Sequence, residues 1–235
     1  MFRRMNRPAT EPDAAAQRDG DGKRLSGRTA HPLLRDTGRV EAFSDGVFAI
    51  AVTLLVLNLK VPAASGDLAG KLLDGWRDYV AYVISFAFIL IMWVNHHNMF
   101  RVIRGTDHLF LLLNGLLLLF VTLVPFTTGL LPHYTNPRDE TTAAVIYSGN
   151  YFVLAIAFNV LWWYASHRGR LLTADHDPAA IQAITRRYRF GPLLYLLCTA
   201  LAFLSVPASL ALNVLLAIFF AWPHPVRAPA DATRS

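Results

Sequence analysis

Asp45 is the residue whose chemistry most needs an explanation. It lies in the apolar run Val40 to Leu59, whose only charges, Glu41 and Asp45, fall near its start. On a helix Asp45 stands six residues past Arg39, about 9 Å further along the axis. If the run crosses a bilayer, a carboxylate at that depth needs a partner or a task. The sequence offers partners: Arg39 and Ser44 on the same run, Trp93-Val-Asn95-His96-His97 on a second, and Asn114 on a third. A network of Asp45, Ser44, histidine and asparagine could clamp three helices together, or it could relay protons or switch conformation. A metal held by Asp45, His96, His97 or His108 is disfavoured, because adjacent histidines on a helix cannot easily share one ion and no His-Glu-x-x-His occurs. The single cysteine, Cys198, lies in an apolar run and reads as filler.

The elements that must position these groups are membrane helices. The chain is 54% hydrophobic and 16% charged, whereas soluble domains carry about 25% charged residues. Its apolar residues are grouped in blocks long enough, near 20 residues, to cross the hydrocarbon. The blocks are Val40 to Leu59, Tyr79 to Phe100, Leu109 to Leu131 with a kink expected at Pro125, and Ala143 to Ala165, which ends at Trp162, Trp163 and Tyr164. Phe190 to Val206 and Ala208 to Trp222 are shorter and read as a tight hairpin of two helices around Pro207. Asp177-Pro178 is a helix start that predicts a short cytoplasmic helix to about Tyr188. The expected fold is therefore an all-α membrane protein with six transmembrane helices per subunit in one domain, residues 39–222. Disordered tails are expected at 1–38, which is basic, and at 223–235.

The net charge of +6 does not point to nucleic acid, since the basic residues sit at block ends and form no continuous patch. Six crossings from a cytoplasmic N-terminus place 18 of the 22 basic residues inside and leave Lys60, Lys71, Arg77 and Arg138 outside. Both termini are then cytoplasmic, and the expected location is the cell membrane.

The first block has a distinctive face. At about 100° per residue, Ala42, Gly46, Ala49, Ile50, Thr53, Leu54 and Leu57 share a wedge of roughly 140°. Small residues there let backbones approach closely, so helix packing accounts for the periodicity by itself.

Arg39-x-x-x-Phe43-Ser44-Asp45, continued by Gly-Val-Phe-Ala-Ile50-Ala-x-Thr53-Leu54-Leu-Val-Leu57, resembles the signature of the transmembrane-protein-175 family of potassium channels. Trp93-x-x-His-His97 and the Leu-Asn114-x-Leu-Leu-Leu-Leu-Phe-x-Thr-Leu-x-Pro125-Phe stretch extend the likeness over residues 39–131. The resemblance implies a pore lined by the first helix, K+ as the permeant ion, and a homotetramer of one six-helix repeat per chain, with no cofactor and no enzymatic activity. It makes Ile50, Leu54 and Leu57 stacked aliphatic rings, with Thr53 as a polar ring between the first two. It also implies that Arg39, Phe43, Ser44 and Asp45 hold the pore helix in an interhelical network. By position the expected partners are Trp93, His97 and Asn114, with His96 disfavoured because adjacent residues point different ways.

No Thr-Val-Gly-Tyr-Gly filter segment occurs. Selection would then rest on an apolar constriction that strips water from ions, serving as filter and gate. The competing reading is a proton-coupled secondary transporter using Asp45 and His97 as its relay.

Overall fold

The structure, a computed structural model, describes residues 37–64, 66–134, 136–173 and 178–221. These fall within one compact unit, Leu33–Ser235. The expected tails therefore lie almost wholly outside the described residues, as does the Asp177 cap. Thr37 and Gly38, assigned above to the N-terminal tail, are instead the first turn of a helix.

Among the described residues the regular structure is helical apart from one isolated β-bridge. The helices are α1 (Thr37–Leu54), α2 (Leu68–Asp74), α3 (Trp76–Phe100), α4 (His108–Thr122), α5 (Val124–His133), α6 (Pro137–Ser166), α7 (Pro178–Arg189), α8 (Gly191–Ala202) and α9 (Val206–Ala221). A 3-10 turn, Leu55–Asn58, prolongs α1. Among the described residues, four segments are long and apolar enough to cross a membrane: Thr37–Asn58, Trp76–Phe100, His108–His133 and Pro137–Ser166. The apolar helices α8 and α9 are shorter, at 12 and 16 residues.

Local chemistry sets the boundaries. Asp107 accepts the Phe110 amide and opens α4, and Asn136 accepts the Asp139 amide ahead of Pro137, which needs no amide partner at a first turn. Pro125 removes one backbone donor, and the helix breaks just before it, between α4 and α5. There the Phe120 carbonyl accepts from the Leu123 amide and from Asn150 Nδ2, both at 3.3 Å. The last two blocks separate at Phe203 to Ser205, slightly before the expected Pro207, which lies instead in the first turn of α9. The break falls there because a proline is tolerated in a first turn but not deeper in a helix. The short helix α2, absent from the sequence expectation, is capped by Asp67, whose carboxylate accepts the Ala69 and Gly70 amides.

The long helix α6 is the centre of the unit and packs against α4, α5, α7, α8 and α9. Its buried Ala143, Ala144, Ala157 and Ala165 allow close approach, while Tyr147, Tyr151 and Leu161 fill the core with Phe88 of α3 and Phe110 of α4. At the end bearing the basic loops, an antiparallel bridge joins Ile103 to Leu172, with Arg104 N–H donating to the Leu171 carbonyl at 2.8 Å. Against this scaffold α1 packs on one side, touching α3, α4 and α5.

Candidate functional site

One face of α1 is held and the opposite face is free. Ser44, Phe48, Ala51 and Leu55 are buried, a four-three-four spacing that forms one stripe. About half a turn away, Ile50 is 59% exposed, Leu54 40% and Leu57 74%, and Thr53 is exposed beside them. Thr53 Oγ1 donates to the Ile50 carbonyl at 2.9 Å, which leaves its lone pairs free.

The held face carries a directed chain of hydrogen bonds. Ser44 Oγ lies 2.8 Å from the Val40 carbonyl, which can only accept, so the hydroxyl donates there. Its oxygen then accepts from Asn114 Nδ2 at 2.9 Å. Asn114 Oδ1 is left to accept, and His96 Nε2 stands 2.9 Å from it. His96 therefore carries its proton on Nε2. The ring is buried between Phe48 and Phe100, with centroids 5.4 and 4.5 Å away, and its Nδ1 has no hydrogen-bond partner among the described residues.

A second pair of links lies nearer the surface. Trp93 Nε1 donates to Asp45 Oδ1 at 2.8 Å, and His97 Nδ1 donates to Glu41 Oε1 at 2.8 Å. Glu41 and Asp45 are one helical turn apart on α1, as are Trp93 and His97 on α3. The two rows pair in antiparallel register.

The network differs from the sequence-based one in its members. His96, disfavoured above, is the histidine that stands against Asn114, because it sits on the inward face of α3. His97 turns to Glu41, which the sequence reading left out. The matched four-residue spacing of the two rows was the available signal. Arg39 and Phe43 are exposed and have no hydrogen bond or ion pair among the described residues. No group of three or more His, Cys, Asp or Glu among the described residues is placed to hold a metal ion.

The far end of α1 is pinned separately. Asn58 Nδ2 donates to the Pro125 carbonyl at 2.8 Å. Gly129, one turn along α5, leaves the space for it: a Cβ there would come within 2.8 Å of Asn58 Oδ1.

A profile of the endosomal/lysosomal potassium channel TMEM175 family matches residues 39–125, the segment that contains these links. A potassium channel of Chamaesiphon minutus is 50% identical over 194 residues, covering 81% of this chain and 96% of that protein. The chain belongs to the TMEM175 family. A second TMEM175 relative, a potassium channel of Streptomyces collinus, is 43% identical over 203 residues, covering 84% of this chain and 98% of that one. The crystal structure of a lysosomal potassium-selective channel TMEM175 homolog from Chamaesiphon minutus superposes with a TM-score of 0.71 at 48% identity, over 79% of this chain and 96% of that chain. With its apolar spanning segments, the protein is a multi-pass membrane protein.

Proposed function

We propose that the protein is a potassium-permeable channel in which four copies of α1 surround the conduction path. The free face of α1 carries this reading: its exposed residues stand opposite a stripe pinned at both ends. Relatives 50% and 43% identical to this chain bear the name potassium channel. In this arrangement each subunit contributes six membrane crossings, with α8 and α9 as the fifth and sixth and both termini in the cytoplasm. Ile50, Leu54 and Leu57 form the constriction, and Thr53 forms the hydroxyl ring between the first two.

The chemistry of such a constriction follows from the side chains. Isoleucine and leucine offer no ligands, so an entering ion sheds part of its water. K+ holds water less tightly than Na+ and loses less by doing so. The Thr53 hydroxyls, whose protons go to the Ile50 carbonyls, present their lone pairs and replace part of what is lost. A slight narrowing of the aliphatic rings excludes water and closes the path. The links of Ser44, Asp45, Asn58, Trp93, His96 and Asn114 position the helix and do not touch the ion.

K+ flux into liposomes holding the purified protein tests the reading, with Na+ and choline as comparisons. Flux ordered K+ over Na+ over choline is expected. Ile50→Asn is expected to raise flux and shrink the K+ preference. Saturating transport that needs an opposing proton gradient would instead support the transporter using Asp45 and His97.

A further inference from the structure

We propose that α7 and the start of α8 form a binding site for an anionic phospholipid of the cytoplasmic leaflet, with Arg186 and Arg189 on the phosphate and Phe190, Leu193 and Leu197 along the acyl chain. The helix α7 is amphipathic. Ile181 and Ile184 pack against the core and Tyr188 is buried. Trp162 Nε1 donates to Thr185 Oγ1 at 2.9 Å, Tyr188 OH donates to the Asn95 carbonyl at 3.2 Å, and Asn159 Nδ2 donates to the Tyr188 carbonyl at 2.7 Å. The helix is therefore fixed to α3 and α6 before any ligand arrives.

Its opposite flank carries Gln182, Arg186 and Arg189, all exposed. The two arginines are three residues apart, about 5–6 Å between Cβ atoms, where like charges repel. Neither has an acidic partner among the described residues. One phosphate bridging two guanidinium groups relieves the repulsion and supplies the missing acceptors.

The chain leaves this charged flank directly into an exposed apolar stripe. Phe190, Leu193 and Leu197 are all more than half exposed, at a spacing that keeps them on one side of α8, while Tyr195 and Cys198 of the same helix are buried. A soluble acidic protein would satisfy the arginines and leave that stripe bare. A molecule with an anionic head and an apolar tail satisfies both. The inference rests on the membrane embedding of the chain, not on conduction.

Native mass spectrometry of the full-length protein in detergent tests it, with phosphatidylglycerol and phosphatidylcholine added in turn. Phosphatidylglycerol adducts are expected to dominate. Each arginine near an anionic surface is worth about fivefold in affinity, so Arg186→Gln with Arg189→Gln is expected to cut phosphatidylglycerol binding roughly thirtyfold and leave phosphatidylcholine unchanged. The paired change Lys71→Gln with Arg138→Gln, on the other side of the membrane, is expected to have no effect. On the wild-type protein, raised ionic strength is expected to remove the preference, which keeps the test independent of how the variant folds. Equal binding of the two lipids to the wild type, or an unchanged preference in the α7 variant, would overturn the proposal.

Discussion

At the scale of single residues, Asn114 is the hinge of the clamp because its amide uses both ends, donating to Ser44 and accepting from His96. Asn114→Leu keeps the shape but strands the buried His96 Nε2–H and also withdraws the donor to Ser44 Oγ, which keeps its bond to the Val40 carbonyl, whereas Ser44→Ala withdraws only the acceptor of Asn114 Nδ2. Losses of about 1–3 kcal/mol per stranded group are expected, with Asn114→Leu the worse of the two and the double variant no worse than Asn114→Leu alone. Thermal unfolding followed by size-exclusion chromatography reads this out, and additive losses would show that the two residues do not share a chain. Thr53→Ala tests a different property. It leaves the fold unaffected, since the hydroxyl bonds only its own helix, and is expected to move the reversal potential toward lower K+ preference. An unmoved reversal potential removes Thr53 from the filter.

At the scale of elements, both ends of α1 are fastened by different means, and the fastening at Asn58 depends on a missing side chain. Gly129→Ala is expected to push Asn58 off the Pro125 carbonyl and so to mimic Asn58→Ala. Each is expected to lower stability by about 1 kcal/mol, the typical net worth of one hydrogen bond, and the double variant by less than the sum. Full additivity in a denaturation series would mean that the two positions act separately. The elements were mostly readable in advance. The apolar blocks, the Pro125 break and the α8–α9 hairpin follow from length, charge and proline alone. The pairing of His96 rather than His97 with Asn114 was not readable, because sequence shows that two neighbouring histidines diverge but not which one faces inward. That choice is made by the rotation of α3, which is set by the buried stripe that includes Phe88, Ile89 and Met92. Glu41 was missed for a similar reason: consecutive crossings run antiparallel and the four-residue spacings match, but only the rotation of α3 decides that these two rows face each other.

At the scale of the whole molecule, the distribution of arginine and lysine fixes the proposed orientation, and the protein supplies a convenient background for testing it. Its single cysteine, Cys198, is buried, so Cys198→Ser leaves no competing thiol. In intact cells, Arg138→Cys is expected to react with a membrane-impermeant maleimide, and Arg104→Cys to react only after the membrane is opened. The opposite pattern would invert the topology.

The brevity of the α8–α9 pair has a further effect outside the protein. Helices of 12 and 16 residues measure about 18 and 24 Å, against a hydrocarbon layer of about 30 Å. As the fifth and sixth crossings proposed above, they would make bordering lipids dimple to meet them, while lipids bordering the 25-residue α3 need not. The chain would thus carry a built-in thickness mismatch on one side, and membranes with thinner acyl layers are the cheaper host for it.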